Sequence, residues 1–219
     1  TDYGEFLAGA DCIIHCAARV HLMDDHCEDP LSKFRDVNTF GTLNLAKQAA
    51  AAGVKRFIFI SSVKVNGELT EQGKPFLSSD APSPQDPYGI SKYEAEKGLQ
   101  QICNGSGMEF VIIRPPLVYG RGVKANFATM MKVAAKNFPL PFGSINNKRS
   151  MVSLENLVDL IFTCIDHPKA GNQTFFVSDG FDVSTKELMA ALTRAGGKAP
   201  RLLPVPIKLI RFALGLIGK

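Results

Sequence analysis

Three short apolar runs constrain the fold of this 219-residue chain more than any other feature. They are "DCIIHCAA" at residues 11–18, "KRFIFISS" at 55–62 and "MEFVIIRPP" at 108–116. Runs of this length are typical of strands that are buried on both faces of a sheet. Segment 31–52 has apolar residues near helical spacing, and residues 88–103 are also predicted to be helical. The resulting βαβαβ order predicts a parallel sheet with helices on both faces.

The second half of the chain has a looser pattern and predicts a smaller lobe. After Gly122 the segments indicate, in order, a helix, an extended stretch, a helix, a strand and a helix. The last helix has Ser184 and Glu187 in capping-box register and Gly196 at its end. We therefore expect a dinucleotide-binding domain over 1–122 and a mostly substrate-binding lobe over 123–219, from which some segments return to the sheet.

Composition narrows the class of protein. The 45% of hydrophobic residues suits a sizeable core, and the formal net charge of +4 is spread along the chain, which argues against a nucleic-acid-binding arm. Five cysteines without a C-x-x-C predict reduced thiols and a cytoplasmic protein. The longest apolar runs are too short to span a bilayer, and burial is preferred to a membrane surface for the apolar, basic end "VPIKLIRFALGLIGK". No membrane partner is expected.

Tyr88 and Lys92 in "DPYGISKYEAEKG" lie four residues apart, so a helix would place them on one face. The spacing alone also fits an ordinary helix surface. Ser62 ends the second predicted strand, where an open α/β sheet binds ligands. Lowering a tyrosine pKa from about 10 to about 7 takes roughly 4 kcal/mol. An ammonium about 4 Å away supplies roughly that much at an effective dielectric of about 20.

These three side chains could therefore oxidise an alcohol to a ketone. Ser62 would bind the substrate oxygen while Tyr88, with its pKa lowered by Lys92, exchanges the proton. No side chain can accept the hydride, which implies a nicotinamide cofactor.

Five ordered motifs resemble one known family. "DCIIHCAARVH", "DVNTFGTLNLAKQA", "FIFISSVKVNG", "PYGISKYEAE" and "IIRPPLVYGRG" are similar to the extended short-chain dehydrogenases/reductases, and among these to the nucleotide-sugar epimerases and reductases of the UDP-glucose 4-epimerase type. The family implies a Rossmann-like doubly wound parallel sheet, incomplete here in its N-terminal half, with a smaller C-terminal substrate lobe. NAD is the expected cofactor, with NADP as the open alternative, and a nucleotide-diphosphate sugar is the expected substrate.

The resemblance assigns roles to individual positions. Ser62, Tyr88 and Lys92 match the catalytic Ser and Tyr-x-x-x-Lys, and Ser62 also contacts substrate. The matched cofactor-binding positions are Ala17, Ala18, Asn38, Tyr88, Lys92 and Pro115, and Asn38 fits a buried packing role equally well. The matched substrate-binding positions are Asn126, Leu140, Phe142 and Arg149. Arg149 is suited to a diphosphate, and the two apolar residues to a uracil face.

Departures from the family pattern limit the reaction. The family's Gly-rich fingerprint at the first strand and helix is absent, so the chain is expected to be a fragment. The segment "GRGVKA" at 120–125 matches the glycine pattern, but it is rejected because no acidic residue follows about twenty positions later. Val63 and Lys64 replace the Asp-Glu pair of sugar dehydratases, which argues against dehydration as the reaction. Asn66 and Leu117 replace a usual tyrosine and asparagine, so the sugar is undetermined.

Our interpretation is a UDP-hexose 4-epimerase that forms a homodimer through the helices at 31–52 and 88–103, as the family does. A 4-keto-sugar reductase and a non-catalytic ligand sensor on the same fold are the alternatives. A metal site is not expected, because Cys12 and Cys16 lie on the opposite strand face from His15. The other residues considered as ligands are His21, His26, His167 and Cys27.

Overall fold

The computed structural model describes residues 1–20, 29–71, 73–123, 125–209 and 215, with only the backbone described at 125 and 126. The chain divides into two compact units. The first comprises Thr1–Pro116 and Asn156–Val177, and the second comprises Leu117–Glu155 and Ser178–Lys219. The sequence prediction put the division after residue 122.

The first unit is built on a four-stranded parallel sheet. Its strands, in spatial order, are β1 (Cys12–His15), β2 (Arg56–Ile60), β3 (Glu109–Arg114) and β6 (Gln173–Phe176). The three apolar runs are thus confirmed as strands, and "QTFFVSD" supplies the fourth. Structural neighbours confirm the predicted Rossmann-like α/β class, as reported below. The parallel order brings the carboxyl ends of all four strands to one edge, where ligands bind in such sheets.

Several helical regions accompany this sheet in the described part of the first unit. The short helix α1 (Gly4–Leu7) precedes β1. A continuous helical region then contains α2 (Pro30–Phe34), a π-helical segment (Arg35–Gly41) and α3 (Thr42–Ala51). The helix α4 (Pro87–Ser106) links β2 to β3, and most of α6 (Leu154–Asp166) belongs to this unit.

Capping residues define both ends of the helix α4. The Asp86 carboxylate accepts the Gly89 backbone N–H at 2.6 Å, and Pro87 occupies the first helical position, which needs no N–H. Gly107 ends the helix in a left-handed conformation with φ of 76°. The helix therefore starts one residue before the predicted Tyr88 and extends three residues past the predicted Cys103.

The core of the first unit lies between the sheet and the helices α3 and α4. Phe57 and Phe59 from β2, Ile112 from β3, Ala46 from α3 and Leu99 from α4 are fully buried. Burying an aliphatic or aromatic side chain stabilises the fold by about 1.5–3 kcal/mol. This packing holds α4, which bears two of the predicted catalytic residues, against the sheet.

The second unit has a small mixed sheet. β4 (Leu117–Tyr119) pairs in parallel with β5 (Arg149–Ser153), which pairs antiparallel with β7 (Asp182–Val183). The helices α5 (Ala125–Lys136) and α7 (Thr185–Ala195) pack against each other in this unit. The predicted capping box is confirmed, since Ser184 and Glu187 bond each other's backbone N–H, and Gly196 is the C-cap of α7. In the described part of the chain, no helix is long and apolar enough to cross a membrane.

Candidate active site

The predicted catalytic residues converge at the carboxyl end of β2. Ser62 follows that strand by two residues and is the N-cap of a 3₁₀ turn (Val63–Val65), while Tyr88 and Lys92 occupy the first two turns of α4. A side-chain hydrogen bond from Ser62 is one of the influences on the Tyr88 pKa. The structure thus brings the serine and tyrosine into the pairing that acid–base catalysis on an alcohol requires.

Tyr88 is half-buried, with the ring of Phe34 at its edge, 6.1 Å between centroids. Burial raises the pKa of Tyr88 above its usual value, and the Asp86 carboxylate raises it further. The Lys64 ammonium and the bond from Ser62 act in the opposite direction. The helical spacing of Tyr88 and Lys92 predicted that Lys92 would lower the Tyr88 pKa. In this structure the pKa is raised instead, because desolvation of the phenolate outweighs the favourable contacts.

Lys92 is only 1% exposed. Its Nζ donates to the carbonyl oxygen of Ile60 at 2.7 Å and lies 4.2 Å from the ring centroid of Phe59. Burial lowers the pKa of Lys92 to about 8, with Glu96 and Cys16 acting in the opposite direction. The ammonium is thus held against β2 by Ile60 and Phe59, and Lys64 is the cation that lowers the Tyr88 pKa.

The loop after β1 is fixed by Asn38. The Asn38 side chain is fully buried in the π-helical segment, accepts the Arg19 backbone N–H at 2.8 Å and donates to the Arg19 carbonyl at 3.0 Å. It also donates to Ser91 Oγ on α4 at 3.0 Å. Irregular π segments are frequent at functional sites. These contacts fit the packing role considered above, and the cofactor role of Asn38, like those of Ala17 and Ala18, stays a prediction.

A buried polar network that the sequence analysis missed lies beneath the site. Glu96 accepts hydrogen bonds from Ser61 Oγ at 2.5 Å and from Arg114 at 2.5 and 3.0 Å. Arg114 also donates to Asn66 Oδ1 at 2.9 Å. These contacts join α4 to the ends of β2 and β3. The available signal was the spacing of Glu96, four residues after Lys92 and hence on the same helix face.

Pro115, a predicted cofactor-binding position, is buried after β3, and its carbonyl oxygen accepts the Val63 N–H at 3.1 Å. This bond ties the end of β3 to the turn that follows Ser62. Its cofactor role stays a prediction.

The predicted substrate-binding positions belong to the second unit. Leu140 is half-buried and pairs through its backbone with Arg201 and Leu203, and Phe142 is half-buried in a turn. Arg149 is exposed at the start of β5. The backbone of Asn126 lies in α5, and its side chain is outside the described residues. The roles of these four residues stay predictions.

The histidines and cysteines form no candidate metal cluster within the described residues. His15 Nε2 lies 2.9 Å from Thr42 Oγ1, and its ring stacks on Phe59 with centroids 5.8 Å apart. The described cysteines are free thiols, and they are Cys12, Cys16, Cys103 and Cys164. His21, His26 and Cys27 lie outside the described residues.

A cavity of about 690 Å³ lies at the opposite end of the sheet. It is lined by residues where the strands begin, including Cys12, Arg56 and Glu109. We assign the chemistry to the carboxyl end instead, because the Ser62, Tyr88 and Lys92 side chains lie there.

The residues present at the carboxyl end fit the nicotinamide end of a dinucleotide. Ala17 is exposed and Ala18 half-exposed after β1, so small side chains leave room beside the strand end. An ammonium has three N–H donors. One Lys92 N–H donates to the Ile60 carbonyl oxygen, which leaves two donors for ribose hydroxyls.

Comparisons with known proteins agree with this geometry. Residues 1–177 match the model of the NAD dependent epimerase/dehydratase family. The chain is 58% identical over 220 residues to a UDP-glucose 4-epimerase of Vibrio cholerae, covering all of this chain and 67% of that protein. It is 27% identical to a GDP-6-deoxy-D-mannose reductase of Pseudomonas aeruginosa, over 83% of this chain and 62% of the relative.

Among solved structures, the chain is similar to the UDP-glucose 4-epimerase of Thermus thermophilus in complex with NAD. The TM-score is 0.75 at 25% identity, covering 93% of this chain and 67% of the other. Across its curated relatives the chain spans 51% to 67% of the relative's length. The family match over most of the chain, the 58% identical relative and the shared fold confirm the resemblance, and the chain belongs to the NAD-dependent epimerase/dehydratase family.

Proposed function

We propose that this chain carries the catalytic centre of an NAD-dependent nucleotide-sugar epimerase, of the UDP-glucose/UDP-galactose 4-epimerase type. The observation that carries the proposal is the convergence of Ser62, Tyr88 and Lys92 at the carboxyl end of β2. The 58% identity to a UDP-glucose 4-epimerase over the whole chain supports the choice of reaction.

Each side chain has a separate task in this reaction. Tyr88 in its phenolate form accepts the proton of the sugar C4 hydroxyl and later returns it. Ser62 hydrogen-bonds the same sugar oxygen, which keeps it in line with the phenol oxygen. Lys92, held by Ile60 and Phe59, binds ribose hydroxyls and orients the cofactor. NAD, when bound, supplies the hydride acceptor and donor that side chains lack.

The nucleotide part of the substrate would be bound by the second unit. Arg149 provides a guanidinium whose planar geometry suits a diphosphate, and it is exposed. Leu140 and Phe142 provide apolar surface for a uracil ring, and Asn126 a hydrogen-bonding group. The proposal therefore assigns proton transfer to the first unit and nucleotide recognition to the second.

A 4-keto-sugar reductase that uses NAD(P)H is the second candidate, supported by the reductase relative from Pseudomonas aeruginosa. The full-length protein, purified and given UDP-galactose without added reductant, distinguishes the two. An epimerase converts it to UDP-glucose with no net change in cofactor absorbance. Consumption of NADPH with a 4-keto sugar nucleotide, and no conversion of UDP-galactose, would establish the reductase.

A non-catalytic sensor on the same fold is the third candidate. The matched test compares wild-type protein with Tyr88→Phe, using Tyr93→Phe, five residues along the same helix, as the control. Loss of turnover in Tyr88→Phe alone supports catalysis. Binding of UDP-sugar without turnover in wild-type protein would favour the sensor.

We also propose a cytoplasmic homodimer. The free thiols of the described cysteines suit a reducing compartment. Val37 and Phe40 are 45% and 59% exposed on the helical region 30–51, which the family resemblance assigns to the dimer interface. Apolar side chains in such positions become buried when two copies associate.

A further inference from the structure

We propose that Lys64 and Asp86 form a charge pair that positions Tyr88 against Ser62. The Lys64 Nζ forms an ion pair with the Asp86 carboxylate. Asp86 precedes the helix that bears Tyr88, and Lys64 lies in the turn that Ser62 caps. The pair therefore spans the two elements that supply the proton-transfer residues. This inference rests on the proposed role of Tyr88 as the base.

Backbone contacts bring the two elements together at the same point. The Lys64 backbone N–H donates to Ser62 Oγ at 3.2 Å, and Asp86 Oδ1 accepts the Gly89 N–H at 2.6 Å. A Cβ on Gly89 would lie 2.8 Å from the Lys64 carbonyl oxygen, so only glycine permits this approach. Besides pairing with each other, Lys64 therefore bonds Ser62 directly and Asp86 bonds the backbone next to Tyr88.

The charges around Tyr88 act with opposite signs. Lys64 lowers and Asp86 raises the Tyr88 pKa, and the Lys64 ammonium also contacts Glu68 at 2.9 Å. Two further cations to consider are Lys92 and Arg19. Lys92 is held by Ile60, and the Arg19 guanidinium lies 5.8 Å from the centroid of Phe34, the ring that contacts Tyr88.

The charge of the side chain at position 64 affects the ionisation of Tyr88. A carboxylate here would oppose ionisation of the tyrosine, whereas an ammonium favours it. Lys64 therefore assists the phenolate form, which the burial of Tyr88 disfavours.

The test uses variants of the full-length protein. Lys64→Met removes the ammonium and keeps a side chain of similar length, and Lys64→Arg keeps the charge. Asp86→Asn removes the carboxylate charge but retains an oxygen that can cap Gly89. Lys74→Met is the matched control, because Lys74 forms a similar but exposed ion pair with Glu71 at 2.6 Å.

Tyr88 ionisation is followed by ultraviolet absorbance of tyrosinate during a pH titration without substrate. Subtracting the same titration of each variant combined with Tyr88→Phe isolates this residue. We expect Lys64→Met to move the ionisation to higher pH and Asp86→Asn to lower pH. Lys64→Arg and Lys74→Met should leave it near the wild-type position. The two opposite shifts distinguish an electrostatic role from a merely structural one.

Turnover gives the second readout. The acidic limb of kcat/KM against pH should move in the same two directions, with a loss of about tenfold for Lys64→Met below the Tyr88 pKa. Shifts of the same sign, no shift in either variant, or an equal shift in Lys74→Met would overturn the proposal. If Lys64→Met is unfolded by circular dichroism, the direction found for Asp86→Asn decides.

The two readouts separate this inference from the proposed function. Opposite shifts of tyrosine ionisation in a protein that does not turn over UDP-sugars would keep the charge pair and refute the epimerase. Epimerase turnover without these opposite shifts would support the epimerase and refute the charge pair.

Discussion

The Lys92 ammonium lies against the face of the Phe59 ring, 4.2 Å from its centroid, while it donates to the Ile60 carbonyl oxygen. Both partners come from β2, and Lys92 comes from α4. A buried cation over an aromatic face gains about 2 kcal/mol. Phe59 therefore compensates part of the cost of burying a charge that the proposed reaction needs.

Replacing Phe59 with leucine should weaken this support while keeping an apolar side chain. The pKa of Lys92 should then fall below its present value of about 8. If the ammonium form is required, the alkaline limb of kcat/KM moves to lower pH. Phe57→Leu is the control, because Phe57 is equally buried on the same strand and its ring contacts His15 as Phe59 does, whereas the Lys92 ammonium lies over the Phe59 ring. Equal shifts in the two variants would show that lost packing, and not the cation–π contact, is responsible.

Lys92 should also make stability depend on pH. Its pKa is about 8 in the folded chain against 10.5 ordinarily, chiefly because of burial. Between these values the unfolded chain binds more protons, so the free energy of unfolding rises with pH, by about 3 kcal/mol. Lys92→Met should lack this rise, whereas Lys97→Met, an exposed lysine on the same helix, should keep it. Urea unfolding from pH 7.5 to 10.5 measures the difference, and parallel curves for wild type and Lys92→Met would contradict it.

His15 should give the fold an acid-sensitive step. Burial, and secondly the charge of Lys92, lower the pKa of His15 to about 4 from 6.5. Since the folded chain resists protonation there, stability is lost as pH falls from 6.5 to 4, by roughly 2–3 kcal/mol. His15→Gln should reduce this loss, and the same substitution at the exposed His167 should not. Unfolding by urea at pH 7, 5.5 and 4.5 tests this; equal losses in all three proteins would assign the acid sensitivity elsewhere.

The strands, and the placement of Tyr88 and Lys92 on one helix, were predictable because their signals are local. Apolar runs such as "KRFIFISS" report burial directly, and Tyr88 and Lys92 lie one helical turn apart. Helical spacing did not predict the π-helical segment around Asn38, because such segments are rare and the contacts of this one, from Asn38 to Arg19 and Ser91, are with residues distant in the sequence.

Side-chain partners were not predictable in the same way. Lys64 and Asp86 are separated by 22 positions, and the ion pair between them depends on how α4 approaches the turn after β2. The contact of the Lys92 ammonium with β2 was not predicted for a similar reason. Its spacing from Tyr88 is local, but the Ile60 carbonyl that binds it is supplied by the sheet.

The proposed dimer makes Phe40 a sensitive position. Phe40→Glu would place a charge in an interface that depends on apolar burial, so the protein should become monomeric. Phe162→Glu is the control, because Phe162 is 68% exposed on α6, a helix outside the regions 31–52 and 88–103 that are assigned to the interface. Sedimentation velocity of the full-length variants distinguishes monomer from dimer. A dimer that persists in Phe40→Glu, or a monomeric wild type, would refute the assigned interface.

The buried pair of Glu96 and Arg114 should be the most sensitive polar contact of the fold, since both residues are almost fully buried. Glu96→Gln leaves the guanidinium without a counter-charge and should lower the free energy of unfolding by about 3–5 kcal/mol. Glu96→Leu combined with Arg114→Met removes both charges and should recover most of this loss. Asp11→Asn, which breaks the exposed pair with Lys55, should have little effect.

Activity should separate stability from positioning in this network. Glu96 joins α4 to the end of β2 through Ser61, so the double variant should fold well yet hold Tyr88 less firmly against Ser62. We expect a stable protein with reduced kcat and a nearly unchanged KM for UDP-sugar, measured beside urea unfolding. Wild-type kcat in the double variant would mean that the network serves stability alone. Failure of the double variant to regain stability would show that the hydrogen bonds to Ser61 and Asn66, and not the balance of charge, hold these elements together.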